Sequence, residues 1–284
     1  MRIFRSIWRS LYLLLLLIAA RLDGRFFSRP RMGAEGAIWI HGWSKRIVRA
    51  MGIEYSVGGN LPLSGAVVSN HLSYLDILLY SAIAPFVMVA KRQVRSWPLL
   101  GWLTAQAGTV YVERSEDVIG RKRQTHAEVN AQMAAAYASG LPVLFFPEGT
   151  TTDGMQVLPF RRGLFHSVLN DEVPLRVATL RFELGEGNGA ATVGEDVCFV
   201  GDALFGPHIF RFLGLRGVTA KVRFGEEIVT RSDRFVLSQG AQARVAEMVM
   251  QLGQESGAVE ALHDLLDGPV KRVGAFDGYR SVRG

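Results

Sequence analysis

The sequence predicts an α/β fold in which helices flank a largely parallel, mixed sheet, preceded by a membrane-associated helical segment. From residue 53 onward, short β-like runs alternate with helical stretches, the pattern of a parallel sheet covered by helices. Most of these runs are followed by loops that carry polar residues, as expected where strand ends build a site. The preceding residues are instead apolar and basic. We therefore predict three parts, covering residues 1–52, 53–230 and 231–284.

The predicted elements follow from apolar periodicity and from the residues that break it. The predicted strands cover residues 53–57, 66–69, 86–89, 109–113, 143–146, 175–183 and 219–224. The predicted helices cover residues 74–82, 97–106, 118–139, 164–169 and 232–256. Residues 185–190 fit a dinucleotide-binding glycine pattern, but residues 192–200 look extended rather than helical. We therefore interpret the glycine-rich run as a hairpin turn.

Composition limits the classes of function. The single cysteine, Cys198, excludes an intramolecular disulfide and a cysteine-based zinc ribbon, and its apolar neighbours predict an inert core thiol. The net charge is +6, and residues 1–50 hold ten Lys or Arg against two acids. This charge lies beside an apolar helix rather than on the folded domain. It therefore favours a membrane surface over a nucleic acid as partner.

The first apolar segment, residues 11–20, has ten unbroken apolar positions. A helix of that length covers about half of a ~30 Å hydrocarbon core. Three interpretations stay open, namely a cleaved signal peptide, a tilted transmembrane helix, and a helix that dips into one leaflet. The arginines around the segment predict that the rest of the chain lies on the cytoplasmic face of the membrane.

A second segment, residues 38–51, has helical periodicity. Its apolar residues fall near one face (Ile38, Trp39, Trp43, Ile47 and Met51), with Lys45, Arg46 and Arg49 on the other side. This pattern predicts either a basic amphipathic helix with interfacial tryptophans or an ordinary surface helix packed on the core. His41 has no evident partner in the sequence.

The chemistry is expected where the strand at residues 66–69 enters a helix. There His71 is followed five positions later by Asp76, whose carboxylate can fold back across the first helical turn. It would then accept a hydrogen bond from one ring nitrogen and leave the other as a base, able to take a proton from an alcohol near neutral pH. Taken alone this spacing is weak, because Ser73 or Asp76 can equally cap the helix.

A second polar cluster follows the buried run at residues 143–146. It reads Pro147-Glu148-Gly149-Thr150 and continues to Gly154. Glycines permit tight turns there, and the carboxylate and hydroxyls can bind a polar ligand. Beyond it, Arg161 and Arg162 offer guanidinium groups to an anionic head group, and Lys91 is a further anion-binding candidate after an earlier strand.

With these motifs the chain resembles the PlsC-like glycerolipid acyltransferases, typified by 1-acylglycerol-3-phosphate (lysophosphatidic acid) acyltransferase. Four ordered blocks between residues 53 and 228 carry the resemblance. They are Asn70-His71-x-Ser73-x-x-Asp76, the run 108–114 that ends in Arg114, Phe146-Pro147-Glu148-Gly149-Thr150, and the block 173–178. The last block lacks the second proline of the family pattern, which leaves the shape of the acceptor or acyl pocket open.

The resemblance implies an O-acyltransferase that moves a fatty acyl group from an acyl-CoA or acyl carrier protein thioester to the free hydroxyl of a lysolipid. His71 would act as general base and Asp76 would orient it, without an acyl-enzyme, cofactor or metal. The predicted substrate-binding residues are Asn70, Ser73, Lys91, Arg114, Glu148, Gly149, Thr150, Arg161 and Arg162. Residues 53–230 would then be the catalytic domain.

Three alternatives stay open. The acceptor can be 1-acylglycerol-3-phosphate, or it can be a lyso-ornithine lipid, because residues 148–160 also resemble bacterial lyso-ornithine lipid acyltransferases. Outside this class, the chain could be a membrane lipid-binding protein without catalysis, although His71 and Asp76 are both present. A hydrolase that uses His71 with water would need a vacant acceptor pocket.

Overall fold

The computed structural model describes residues 1–96, 100–113, 124–228 and 233–267. The strands are β1 (Ile53–Gly58), β2 (Ala66–Ser69), β3 (Val87–Lys91), β4 (Val110–Val112), β5 (Val143–Phe145), β6 (Leu175–Leu184) and β7 (Val218–Ile228). They form one sheet in the order β1-β7-β6-β2-β5-β3-β4. Every neighbouring pair is parallel except β6 and β7. The prediction of a largely parallel, mixed sheet is confirmed.

Helices cover both faces of this sheet. The helices are α1 (Arg2–Leu22), α2 (Ala34–Met51), α3 (Leu75–Ile83), α4 (Leu100–Gln106), α5 (His126–Tyr137), α6 (Phe165–Asn170), α7 (Phe205–Leu213) and α8 (Arg234–Asp267). One apolar cluster packs α2, α3 and α7 on the sheet, and a second packs α5, α6 and α8 on the other face. Residues of β6 alternate between the two clusters, since Val177 belongs to one and Ala178 to the other.

All seven predicted strands are present, shifted by a few residues at their ends. Five predicted helices correspond to α3, α4, α5, α6 and α8, although residues 97–99, 118–123 and 232 of these predictions lie outside the described residues. Helix α5 begins after Thr125, whose hydroxyl accepts a hydrogen bond from the Glu128 N–H in a capping box. Helix α8 continues beyond the predicted end at residue 256, to Asp267.

Two predictions in the connection between β6 and β7 are wrong. Residues 192–200 are not extended, because Thr192 caps a π-helical turn at Val193–Val197 by accepting a hydrogen bond from the Glu195 N–H. Residues 185–190 do not form a hairpin turn either, since this turn and the unpredicted helix α7 stand between the two strands. Gly206 and Pro207 resemble a loop in the sequence, but proline is tolerated in the first turn of a helix.

Helix α1 presents two different faces. Ser6 and Ala20 are buried on the inner face, and Arg9 donates hydrogen bonds to the carbonyls of Leu213 and Leu215, at and just after the end of α7. The opposite face exposes a row of large apolar side chains: Ile3, Phe4, Ile7, Trp8, Leu11, Leu14, Leu15 and Ile18. The segment Arg2–Phe27 is long and apolar enough to cross a membrane, with a mean hydropathy of 1.7.

Helix α2 packs on α3 and the sheet. Residues 38–51 therefore form an ordinary surface helix packed on the core, the second of the two predicted alternatives. Trp43 and Ile47 are buried, whereas Ile38 is 56% exposed and does not belong to the buried face. The indole N–H groups of Trp39 and Trp43 both donate to the Asp23 carboxylate, in the π-helical turn Asp23–Phe27 between the two helices. They therefore anchor the turn.

Candidate active site

The site lies at the carboxyl ends of β2 and β5, which are parallel neighbours with Val68 opposite Phe145. Each strand is buried along its whole length, and a polar loop follows it. Because parallel strands end at the same edge of a sheet, the two loops meet there. The predicted histidine motif and the predicted Pro-Glu-Gly-Thr turn are thereby brought together.

Asn70, the first residue after β2, fixes where this loop leaves the sheet. Its side-chain amide donates to the carbonyl of Leu180 and its Oδ1 accepts from the Leu180 N–H, both at 2.9 Å. The side chain is buried, with Ser69 and Thr179 also donating to Oδ1. Both the nitrogen and the oxygen of the Asn70 amide are thus hydrogen-bonded to other groups of the protein. The geometry supports a structural role rather than the predicted contact with substrate.

His71 and Asp76 meet as the sequence spacing predicts. The Nδ1 atom of His71 lies 2.7 Å from Oδ2 of Asp76. Because a carboxylate only accepts hydrogen bonds, Nδ1 carries the proton and Nε2 is left with its lone pair. The His71 side chain is 17% exposed, and within the described part of the chain Nε2 has no hydrogen-bond partner. The arrangement therefore leaves a basic nitrogen facing the open side of the site.

Asp76 is held in place by the chain that surrounds it. Besides the His71 ring, its Oδ2 accepts the backbone N–H groups of Leu72 at 2.6 Å and Ser73 at 3.0 Å. The carboxylate is fully buried in the first turn of α3, where the helix dipole favours negative charge. Its Oδ1 is buried without a hydrogen-bond partner among the described residues. A positive imidazolium on His71 would compensate this buried charge.

Phe146, the residue after β5, holds the His71 ring from one side. The two rings are stacked, with centroids 4.1 Å apart and planes 11° from parallel. Stacking and the bond to Asp76 together leave the imidazole little freedom to rotate. We did not predict this role from the sequence. Phe146 immediately precedes Pro147-Glu148 in the motif, and this position beside the site could have indicated it.

Glu148 ties the histidine loop to two parts of the connection between β5 and α6. Its Oε1 accepts the backbone N–H of His71 at 2.8 Å, and its Oε2 accepts that of Leu158 at 2.9 Å. The side chain is buried, and this burial raises the pKa of Glu148 despite the two backbone bonds that lower it. The carboxylate therefore shapes the loop that carries His71. Each oxygen of this carboxylate thus accepts a backbone N–H group.

Further bonds join the Pro-Glu-Gly-Thr turn to the histidine loop. The N–H of Thr152 donates to the carbonyl of His71 at 2.9 Å. Gly149 has φ +73°, and a Cβ there would lie 2.7 Å from Nε of Arg161, so a side chain would both strain the turn and displace the guanidinium. Thr150 is exposed beside it. Of the predicted substrate-binding residues, Gly149, Thr150 and Arg161 are thus together at the opening.

The other predicted binding residues are differently placed. Lys91 is exposed at the end of β3, on the same edge of the sheet as His71. Arg162 stacks over the ring of Phe235 at 4.3 Å, which directs it toward α8. Ser73 is fully buried, and its hydroxyl has no hydrogen-bond partner among the described residues. Arg114 lies outside the described residues.

An aromatic cluster behind the histidine loop was not predicted. Tyr74 packs edge-on against Phe199 and Phe205, and its hydroxyl lies 3.0 Å from Nδ1 of His208. Nε2 of His208 lies 2.8 Å from the carbonyl of Cys198. These contacts join α3 to α7. They are missing from the sequence prediction because α7 itself was missed.

Cys198 is remote from the motifs in sequence but close to them in space, since the N–H of the next residue, Phe199, donates to the Leu72 carbonyl. The thiol is 2% exposed, and burial raises the pKa of Cys198 to about 12. The prediction of a core thiol is confirmed. Within the part of the chain that the structure describes, no three His, Cys, Asp or Glu side chains form a group that could hold a metal ion.

A parallel sheet whose neighbouring strand ends join a His–Asp pair to a Pro-Glu-Gly-Thr turn defines the glycerolipid acyltransferase class. Comparison with known proteins agrees. The model of the Acyltransferase family matches residues 56–178. The crystal structure of the 1-acyl-sn-glycerophosphate acyltransferase PlsC from Thermotoga maritima has the same fold, with a TM-score of 0.60 over 89% of this chain and 98% of that one, at 17% identity.

Three relatives by sequence carry two names between them. The lyso-ornithine lipid O-acyltransferase of Rhodobacter capsulatus is 35% identical over 59% of this chain and 59% of its own length. That of Pseudomonas aeruginosa is 32% identical over 72% of this chain and 75% of its own. The 1-acyl-sn-glycerol-3-phosphate acyltransferase of Neisseria gonorrhoeae is 29% identical over 64% of this chain and 68% of its own length. The chain belongs to this acyltransferase family, and it is an acyltransferase of lipid biosynthesis.

Proposed function

We propose that this enzyme transfers a fatty acyl group from an acyl thioester to the free hydroxyl of a lysolipid, with His71 as general base. The observation that carries the proposal is the 2.7 Å contact between Nδ1 of His71 and Asp76, which leaves Nε2 as the basic nitrogen of a partly exposed ring. A general base placed in this way is worth ~10²–10⁴ in rate.

The reaction then needs no covalent enzyme intermediate. Nε2 of His71 takes the proton of the lysolipid hydroxyl while the hydroxyl oxygen attacks the thioester carbonyl carbon. The buried Asp76 carboxylate stabilises the imidazolium that forms. When the tetrahedral intermediate collapses, the carbon–sulfur bond breaks and the imidazolium returns its proton to the departing thiolate. Cys198, buried and with a raised pKa, is unsuited to act as a nucleophile.

The acyl donor in this proposal is an acyl-CoA or an acyl carrier protein thioester, and no cofactor is required. For the acceptor, two candidates have support. Lyso-ornithine lipid is favoured by the names of the relatives at 35% and 32% identity. 1-Acylglycerol-3-phosphate is favoured by the relative at 29% identity and by the guanidinium of Arg161 beside the Gly149 turn, which suits a phosphate.

We also propose that α1 lies in one leaflet rather than across the bilayer, with the active site on the cytoplasmic side. The inner face of α1 is bound to the catalytic domain from Arg2, which pairs with Asp196 at 2.8 Å, to the buried Ala20. A helix held along its length by a folded domain cannot also stand surrounded by lipid. Its opposite face is a continuous apolar strip of the kind that inserts into a membrane surface.

The test is acyl transfer by the purified protein to each lysolipid in turn, followed by mass spectrometry of the product. The His71→Ala variant is expected to lose ~10²–10⁴ of the rate, whereas His166→Ala, which changes an exposed histidine on α6, keeps the wild-type rate. Retained turnover in His71→Ala would refute the mechanism. Thiol release without any lysolipid would instead indicate a hydrolase.

A further inference from the structure

A basic cavity lies where the turn after α1 meets α4, away from the His71–Asp76 pair. Its volume is about 330 Å³, and three arginines line it, Arg21, Arg25 and Arg29. Trp102 and Gln106 of α4 form the opposite wall. None of the lining residues is acidic, so the cavity concentrates positive charge in a concave site that suits an anion.

Two of these arginines contact aromatic rings, since Arg21 lies over Trp102 and Arg25 over Phe26. None of the carboxylates in the described ranges forms an ion pair with any of the three. Asp23 is the acid nearest in sequence, and its carboxylate instead accepts the indole N–H groups of Trp39 and Trp43 and the hydroxyl of Ser28. The positive charge of the cavity is therefore available to a ligand.

The walls of the cavity are fixed rather than loose. The Arg21 guanidinium stacks over the Trp102 ring at 4.2 Å, and the side-chain amide of Gln106 donates to the carbonyl of Pro30. The Gln106 carbonyl also accepts the N–H of Gly33 at 3.4 Å, and a Cβ at Gly36 would lie only 1.8 Å from that oxygen. The turn is thus held against the end of α4, and the arginines are presented by a preformed scaffold.

The surroundings of the cavity indicate where its ligand comes from. Phe26 and Phe27 are 56% and 79% exposed beside Arg25, and Met32 is 73% exposed beyond Pro30. These exposed apolar side chains follow α1 in the chain, so the arginines lie beside apolar surface that a membrane would cover. Guanidinium groups bind phosphate through paired N–H donors. A phosphate that arrives attached to acyl chains meets both features at once.

We propose that this cavity binds the phosphate head group of an anionic membrane phospholipid, as a site separate from the one that binds substrate. Occupation would fix the depth and rotation of α1 and α2 at the membrane surface, because both helices are joined through the Asp23 turn. The proposal concerns binding and does not depend on the acyl transfer reaction or on the choice of acceptor.

The test is binding of the full chain to phosphatidylcholine vesicles with and without phosphatidylglycerol, measured by flotation. Arg25→Gln with Arg29→Gln is expected to abolish the gain that phosphatidylglycerol gives the wild type, a loss of roughly tenfold or more in partitioning. The matched control is Lys45→Gln with Arg49→Gln, which removes the same charge from exposed positions on α2 outside the cavity. This control is expected to keep most of the gain.

Equal losses in both double variants would overturn the proposal, because they would show diffuse attraction to charge rather than a site. No loss in the cavity variant would overturn it as well. Inorganic phosphate would compete for the same guanidinium groups, so adding it to the wild type at constant ionic strength is expected to reduce the gain. If Arg25→Gln with Arg29→Gln loses the binding of inorganic phosphate but keeps the gain from phosphatidylglycerol, the cavity belongs to the soluble anion instead of the lipid. Matching thermal unfolding of both variants and the wild type establishes that neither result reflects misfolding.

Discussion

The Nδ1 atom of His71 and the Oδ2 atom of Asp76 lie 2.7 Å apart, and the same oxygen also accepts the N–H groups of Leu72 and Ser73. The carboxylate is therefore oriented by the backbone of the loop that carries its partner. A rotation of Asp76 would break three hydrogen bonds. The pair is preorganised before any substrate binds, which is what a general base requires.

Asp76→Asn is expected to lower kcat by ~10³–10⁴ while leaving the fold intact. The amide oxygen can take the place of Oδ2 and keep all three hydrogen bonds, but the neutral amide no longer stabilises the imidazolium that forms on His71. The amide NH₂ then falls at the buried Oδ1 position, where the described residues offer it no hydrogen-bond partner. Steady-state acyl transfer at saturating lysolipid measures kcat. A variant that keeps a substantial part of the wild-type rate would show that the negative charge of Asp76 is not needed to stabilise the imidazolium.

Asn70→Ala is expected to destabilise the protein by ~2–4 kcal/mol, because it leaves the buried N–H and carbonyl of Leu180 unpaired. Asn188→Ala is the matched control. It removes an amide that bridges the carbonyls of Gly185 and Arg216 in an exposed loop, where water can replace it, and should cost less than ~1 kcal/mol. Chemical denaturation gives both values. If Asn70→Ala unfolds like the wild type and only raises KM, Asn70 contacts substrate instead.

Glu148→Gln is expected to destabilise the protein by ~1–3 kcal/mol and to lower kcat at the same time. One of its two oxygens becomes an NH₂ group that faces a backbone N–H, either that of His71 or that of Leu158. Loss of the first bond releases the histidine loop. Denaturation and kinetics are compared with Glu54→Gln, an exposed position on β1, which should change neither. If Glu148→Gln kept full activity and full stability, the bonds from Glu148 to the His71 and Leu158 N–H groups would not be what holds the histidine loop.

The local parts of the site could be predicted from the sequence, and the parts that depend on strand order could not. His71 lies in the short loop before α3 and Asp76 lies in the first turn of that helix, so their closeness in the sequence is enough to bring them together. The bond between Glu148 and the His71 N–H instead requires β2 and β5 to be parallel neighbours in a particular register. Nothing in either segment specifies that register, so the sequence does not predict the tether that Glu148 provides.

Helix α7 shows the same limit at the level of fold. Its Gly206-Pro207 pair is typical of a turn, and only packing of Phe212 and Leu213 into the core makes the segment helical. Missing that helix also concealed His208 and its contact with Tyr74. The strands were predicted more accurately than α7, because a short apolar run between polar residues is typical of a buried strand in an α/β fold.

His208 is expected to make the protein less stable in mild acid. Burial lowers the pKa of His208, so the folded state keeps the ring neutral, with Nε2–H donating to the Cys198 carbonyl and Nδ1 accepting from Tyr74. As the pH falls through the ordinary value of 6.5, the unfolded chain binds a proton that the folded chain does not. Stability therefore decreases, with a slope of up to ~1.4 kcal/mol per pH unit, until the lowered pKa is reached.

His208→Gln can form both bonds without titrating, so its free energy of unfolding should depend less on pH between about pH 5 and 7. His166→Gln should follow the wild type, because His166 is exposed. Equal slopes for His208→Gln and the wild type would show that His208 titrates normally in the folded protein.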